Sequence, residues 1–300
     1  MRADVGPRCL ACGGSKHRVL HRLAAHRMLV CRDCSLVFVD PIPELGELVA
    51  YADEAHRGIG MAETSEYFAP PDLDDPDDPL TASYAATVDL LATACEGRRL
   101  LDVGCGNGSF AAFASARGWQ PVVIDSSPAA CEHARSTYGL EALTTAFPES
   151  SRDPGLEARS FDAVTFLDFL EHVPDPRAAV KRARELLAPG GVLLVNSPNH
   201  ASVLCLAIDA LGRLPFPPIR RRLEQYYHPS HVSVFNPRSL RRLVRDTGLE
   251  VLESGQNSPV LERFELPPPM VAGLRALATV GRWAGRQSRC WVLACRSMSD

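Results

Sequence analysis

From about residue 80 onward, short apolar runs alternate with segments whose apolar residues recur every three or four positions. A short continuous apolar run reads as a strand covered on both faces, and the longer period reads as a helix with one dry side. Strands are predicted at 99–103, 121–125, 141–144, 161–167, 191–196, 249–254 and 290–296. Helices are predicted at 80–95, with apolar positions 84, 88, 91 and 95, and at 108–117, 128–138, 176–188 and 237–247. Strand–helix alternation of this kind builds a parallel α/β sheet with helices on both faces. Leu187-Ala188-Pro189-Gly190-Gly191 should end one helix in a left-handed glycine cap and lead into the fifth strand.

Two stretches interrupt the alternation. Residues 200–235 hold an apolar helix over 202–211, the rigid Pro215-Phe216-Pro217-Pro218, three arginines at 220–222 and a Tyr/His cluster. Residues 260–288 hold Pro267-Pro268-Pro269 and a helix over 270–286. Long insertions after sheet strands usually cover a pocket. The first is expected to be a substrate lid, the second packing or a homodimer surface.

The amino-terminal 40 residues follow a different pattern. Cys9-Leu10-Ala11-Cys12 and Cys31-Arg32-Asp33-Cys34 are separated by 18 residues, within the spacing of paired zinc knuckles. Gly13-Gly14 follows the first pair, and the apolar run Leu36–Val39 follows the second. Four thiolates on two turns can close a tetrahedron around Zn2+ and leave no open position, so the metal's role would be structural. His17, His21 and His26, between the pairs, are expected to be solvent-exposed. Residues 41–79 read as a connector broken by prolines, with short helices over 44–55 and 61–68 anchored by Tyr51, Tyr67 and Phe68. Its end, 70–79, carries five aspartates and reads as a tether.

Composition narrows the choices. The 300 residues are 46% hydrophobic and 23% charged, which suffices for one large domain with a small appendage. A net charge of −4 argues against nucleic acid as partner, although 213–245 carries eight Arg against one Glu. Those arginines read mostly as solvated faces. The chain lacks an apolar run of the ~18 residues that a membrane span needs. The amino terminus also lacks a signal peptide's apolar segment. Ten cysteines without an export signal therefore suggest a reducing cytoplasm.

The chemistry concentrates at Leu101-Asp102-Val103-Gly104-Cys105-Gly106-Asn107-Gly108. Glycine is needed where backbone turns tightly against a ligand, and the carboxyl end of an α/β sheet's first strand is where such folds hold cofactors. A dinucleotide fingerprint would require G-x-G-x-x-G, but here the glycines alternate and the next position is Ser109. Asp125 ends the second strand about 20 residues further on, where a ribose-binding acid belongs.

The alternating glycines after Asp102 resemble the first motif of class I S-adenosylmethionine-dependent methyltransferases. Ile124–Pro128, Ser160–Val164, Leu170-Glu171-His172-Val173-Pro174-Asp175-Pro176 and Leu187–Val195 resemble that superfamily's later blocks, in its order, across about 80–255. The likeness is greatest to a bacterial subgroup that carries a cysteine zinc knuckle ahead of the domain and modifies small molecules, sugars and natural products. Ubiquinone-pathway O-methyltransferases are similar but more distant. The resemblance implies a Rossmann-like seven-stranded sheet preceded by a small zinc ribbon, with S-adenosylmethionine as cofactor. It places Asp102, Gly104, Cys105, Gly106 and Gly108 under the cofactor's amino acid and sulfonium end, Asp125 and Ser126 at the ribose, and Leu167 and Asp168 beside the methyl group. The family's adenine-side acid is missing from Leu143-Thr144-Thr145-Ala146-Phe147, so Ala146 backbone and the Phe147 ring would meet adenine. His172 is implied as the base, paired with Glu171, and His231 as a second candidate at the pocket mouth. Cys105 reads as a small contact residue and not a nucleophile, because no partner histidine lies near it in sequence. Asn196-Ser197-Pro198-Asn199 does not match the motif of adenine N6-methyltransferases.

The expected activity is methyl transfer to a small-molecule acceptor, at oxygen first and carbon next. An RNA methyltransferase using the ribbon and the arginines as its grip is the rival enzyme, and steep loss of affinity with salt would reveal it. A non-catalytic binding module is the third reading, distinguished by absence of turnover.

Overall fold

The computed structural model describes residues 7–57, 71–73, 75, 77–148, 156, 161–213, 221, 223–224, 226–258 and 268–298. The helix expected over 61–68, with Tyr67 and Phe68, lies outside the described residues, as do Pro215–Pro218, Arg220 and Arg222.

The main sheet contains β4 (Arg99–Val103), β5 (Gln120–Asp125), β6 (Glu141–Thr144), β7 (Phe161–Leu167), β8 (Leu187–Pro198), β10 (Glu250–Asn257) and β11 (Arg289–Cys295). Its order is β10-β11-β8-β7-β4-β5-β6, with β11 antiparallel to both of its neighbours and the β6-to-β8 side parallel. From β4 the chain steps outward to β5 and β6, then crosses back to β7 on β4's other side. That reversal is a topological switch point, where strand ends diverge and leave a crevice.

The helices start where sequence puts a polar cap before a proline. Asp78 caps α2 (Pro79–Ala94), Ser127 caps α4 (Pro128–Tyr138), Asp175 caps α5 (Pro176–Leu186) and Asn236 caps α7 (Pro237–Asp246). In each, the side-chain oxygen takes free first-turn N–H groups, and proline presets the helical φ where no donor is needed. The described part of the expected tether is attached to α2: Thr81 Oγ1 donates to the Asp72 carbonyl at 3.0 Å, and Leu73 packs against the core.

The cap expected at Gly190-Gly191 is not there. α5 stops at Leu186, Leu187 is already extended, and Gly190 (φ +76°) lies within β8. The helix-end carbonyls are met by the buried Arg296, whose guanidinium donates to Arg184 O and Leu187 O, both at 3.0 Å. A residue 110 positions away replaces the local cap, which no local pattern could reveal.

The amino-terminal unit is less separate than its sequence suggests. β1 (His17–Arg22), β2 (Arg27–Cys31) and β3 (Val37–Asp40) form an antiparallel ribbon, to which β9 (Ser233–Val234) adds a fourth strand. Cys9, Leu29, Cys31, Cys34, Leu36 and Phe38 share one buried cluster with α5, α7 and β8. His21, expected at the surface, is buried, and its Nε2 lies 2.8 Å from Asp209 on α6 (Val203–Leu211). His17 and His26 are half-buried.

Candidate active site and cysteine cluster

A cavity of about 350 Å3 opens at the switch point, over the carboxyl ends of β4, β5 and β7. This volume falls in the range of small-molecule sites. Its floor is the turn after β4. Gly104 (φ +74°) and Gly106 (φ +55°) take left-handed conformations, and a Cβ on Gly104 would sit 2.5 Å from the Phe169 ring. Gly108 (φ +81°) differs in use: it is turned from the cavity, starts α3 (Ser109–Ser115), and a Cβ there would meet Ala134 of α4 at 2.9 Å. Of the three alternating glycines, two face the cavity and the third lets helices pack.

Asp125 is buried at the end of β5, accepting from Gly106 N at 3.0 Å and Ser127 N at 2.8 Å. The cap ahead of Pro128 is supplied by Ser127, so Asp125 is left to face the cavity. Burial raises its pKa, opposed first by the nearby His56. Asp102 is buried below, receives Thr165 Oγ1 at 2.7 Å, and is pushed up to about 7 by loss of water. Cys105, Ser126, Ala146, Phe147, Leu167 and Asp168 also line the cavity.

The Glu171-His172 pair divides between two environments. His172 faces the cavity, with its Nδ1 2.8 Å from the Ser230 carbonyl. A carbonyl only accepts, so Nδ1 carries the proton and Nε2 keeps its lone pair. Burial lowers the His172 pKa, so the ring is neutral at neutral pH. Glu171 is turned away from the cavity, 1% exposed, and accepts from Ser197 Oγ at 3.0 Å. Burial, then the charge of Asp168, pushes its carboxyl up to about 8. His231 stands behind His172, ring centroids 4.8 Å apart, and does not line the cavity. Burial, then His172, holds it down near 3.

Three contributions to the cavity were not legible beforehand. The short helix expected over 44–55 is present as α1 (Leu45–His56), but its Leu45, Leu48, Val49, Ala52 and His56 make one cavity wall. Asp53 pins it across the start of α4, accepting from Ser127 Oγ at 2.8 Å and Ala129 N at 3.2 Å. Tyr84 of α2 also lines the cavity and meets Ser109 Oγ at 2.9 Å. Arg289 of β11 reaches in and ion-pairs with Asp168, itself at φ +52°. The expected last strand began one residue past Arg289. The expected lid contributes less than foreseen: among its described residues only Ser230 lines the cavity, and α6 packs instead against α8 (Pro268–Trp283).

The four amino-terminal thiols converge. Their sulfurs lie within 4.8 Å of one another, with Cys9–Cys34 at 3.5 Å and Cys12–Cys31 at 3.6 Å. Both knuckles fold alike: Gly13 N bonds Cys9 O and Ser35 N bonds Cys31 O, each with a left-handed residue at the fifth position. Two of the 213–245 arginines read as solvated faces are committed here: Arg238 donates to Asp33 O at 2.8 Å and Arg242 reaches the same carbonyl at 3.4 Å. Arg177 of α5 donates to Ala11 O at 2.7 Å.

This sheet, with a glycine turn and a buried acid at its switch point, has the architecture of the class I S-adenosylmethionine-dependent methyltransferases. Residues 77–254 match the family described as Methyltransferase domain, and the chain belongs to that family. It is 32% identical over 188 residues to a ubiquinone biosynthesis O-methyltransferase of Xanthomonas axonopodis pv. citri, covering 60% of this chain and 75% of that protein. The homologous protein of Xanthomonas oryzae pv. oryzae is 38% identical over 134 residues, 43% of this chain and 56% of that one. Among solved structures, phosphoethanolamine N-methyltransferase 2 of Haemonchus contortus superposes with TM-score 0.52 at 17% identity, over 82% of this chain and 56% of that one. The [4+2]-cyclase SpnF superposes with TM-score 0.50 at 19% identity, over 84% and 93%. These two likenesses concern the fold alone.

Proposed function

We propose that the protein methylates an oxygen of a small hydroxylated molecule, with His172 as the base. The observation that carries this is the Nδ1–H bond from His172, a residue of the cavity lining, to the Ser230 carbonyl, which leaves Nε2 with its lone pair. S-adenosylmethionine, when bound, supplies an electrophilic methyl group on a sulfonium sulfur. The lining suits a donor without phosphate groups: among the described residues Arg289 is the sole Lys or Arg, and Asp168 neutralises it. In this reading Gly104 and Gly106 admit the amino acid end against bare backbone, and Asp125 accepts from the ribose hydroxyls. Phe147 and the α1 wall cover the apolar parts and keep water out.

His172 would take the acceptor's hydroxyl proton onto Nε2, freeing the acceptor oxygen for the methyl group that the bound donor would supply, whose carbon–sulfur bond would break to leave the neutral thioether. Aligning the two reactants supplies much of the acceleration, and general-base help adds about 10²–10⁴-fold. Glu171, turned to Ser197 and largely protonated near neutrality, braces the turn and does not touch the acceptor. O-methylation agrees with the O-methyltransferases among the relatives. The RNA reading is weakened at Arg238 and Arg242, two of the eight arginines of 213–245, which donate to a ribbon carbonyl.

The same proposal includes a structural zinc on Cys9, Cys12, Cys31 and Cys34. A tetrahedron with zinc–sulfur bonds of about 2.3 Å has edges of roughly 3.8 Å, close to the observed separations. Elemental analysis should find one zinc per chain. The function is tested by incubating methyl-labelled cofactor with hydroxylated acceptors and locating the label by mass spectrometry. His172→Gln should retain cofactor binding and lose about 10²-fold or more in kcat. Label on nitrogen, or undiminished turnover in the variant, would refute the reading.

A further inference from the structure

The ribbon's contacts run toward the segment that orients His172. Ser230, whose carbonyl holds the His172 ring, lies in a short stretch tied to the ribbon on both sides. Before it, the half-buried His26 of the β1–β2 turn approaches Tyr227 O with its Nε2 at 2.8 Å. That atom is also facing a carbonyl, so the histidine donates. After it, Val39 N donates to Val232 O at 2.9 Å, and β3 pairs with β9 in the register Val37↔Val234 and Phe38↔Ser233. Asn236 Nδ2 completes the attachment on Ser35 O at 2.7 Å, beside the second knuckle. Tyr227, Val232 and Ser233 are fully buried, so the strand-pairing bonds at Val232 and Ser233 are shielded from competing water, while the His26 and Asn236 bonds are part-buried.

Three carbonyls at the knuckles are spent as well. The carbonyls of Ala11, Asp33 and Ser35, which an external partner would have to read, accept from Arg177, from Arg238 and Arg242, and from Asn236. A ribbon whose free carbonyls point into its own catalytic domain is built to hold that domain.

The geometry points to a positioning role for the cysteine ribbon: through His26 and the β3–β9 ladder it fixes the Ser230 carbonyl and thereby the tautomer and direction of His172. The role rests on His172 acting as the base, but its structural half can be read independently of catalysis. If Tyr227–Val232 is released, Ser230 O no longer selects Nδ1–H, and the ring samples both tautomers. A displacement of about 1 Å in such a group costs up to 10²-fold in rate. His26 lies outside the cavity lining, so cofactor affinity should not follow.

The test compares the metal-loaded wild type with His26→Ala and His26→Gln. Long-range 1H–15N spectra of histidine-labelled protein should show a single Nδ1–H tautomer for His172 in the wild type. His26→Ala should show mixed tautomers with kcat lowered about tenfold, and calorimetric affinity for S-adenosylmethionine within about twofold. His26→Gln, which keeps a donor for Tyr227 O, should restore both. Arg177→Ala, which loosens the first knuckle away from Tyr227–Val232, should leave the His172 tautomer unchanged. A single Nδ1–H tautomer persisting in His26→Ala would overturn the inference. Should His26→Ala not fold, Asn236→Ser keeps a capping oxygen for α7 while removing the donor to Ser35, and is read the same way. If His172→Gln retains full turnover while the tautomer still responds to His26, the base reading fails and the positioning stands.

Discussion

Glu171 and His172 are adjacent, yet their surroundings push them to opposite tasks. His172 meets the cavity with one nitrogen tethered, whereas Glu171 is sealed behind it with Ser197 as its hydrogen-bond partner. A carboxyl whose folded pKa is raised to about 8 binds a proton that the unfolded chain has released above its ordinary value of 4.5. The folded state therefore loses stability as pH rises through that window, by at most about 1.4 kcal/mol per pH unit. Glu171→Gln, neutral at every pH, should remove this loss. Thermal melts at pH 6 and pH 8.5 should show the variant gaining on the wild type at the higher pH. Parallel pH dependence in the two proteins would show that Glu171 ionises freely in the fold. Residue identity could be read from the sequence here, but which of the two faces the cavity could not, because that depends on where Ser230 and Ser197 lie.

At the scale of elements, α1 was expected as a short helix but not as a wall of the cavity. Its apolar residues at 45, 48, 49 and 52 have the spacing of a packed helix, yet none of its residues is buried. The stripe faces a cavity and not a core. Position in a proline-broken, acidic stretch concealed the helix's use, although the spacing itself was visible. Asp53 is the attachment, bonded to Ser127 and Ala129, and these interactions together with Arg57 lower its pKa despite the opposing cost of burial. Asp53→Ala should free the wall and weaken cofactor binding about tenfold, with little change in melting temperature. The magnitude follows from losing a charge-assisted contact worth about 1.5–3 kcal/mol, part of which is offset by water. Calorimetric titration with S-adenosylmethionine reads it, and unaltered affinity would remove α1 from the binding site.

For the molecule as a whole, the ribbon and the catalytic sheet melt as one unit or as two. The shared buried cluster from Cys9 to α7, the β3–β9 pairing and the knuckle-to-arginine bonds favour one. Differential scanning calorimetry of the metal-loaded protein should give a single transition, and chelation should lower it as a whole. A small early transition lost on chelation, with the main one unmoved, would show an independent ribbon.

The sequence by itself determined the local events. Polar caps before Pro79, Pro128, Pro176 and Pro237 set helix starts, apolar runs set the strands, and the glycine turn with Asp102 and Asp125 located the cavity end of the sheet. The cysteine spacing likewise marked the thiol cluster. Each is an interaction between residues close along the chain, or a periodicity that one element carries alone. Tertiary structure decided what arrives from far away: Arg296 closing α5, Arg289 reaching Asp168, α1 walling the cavity and Ser230 fixing His172. These contacts span up to about 120 positions. Their partners are chosen by how layers pack against one another, which leaves no period or spacing in the sequence to read.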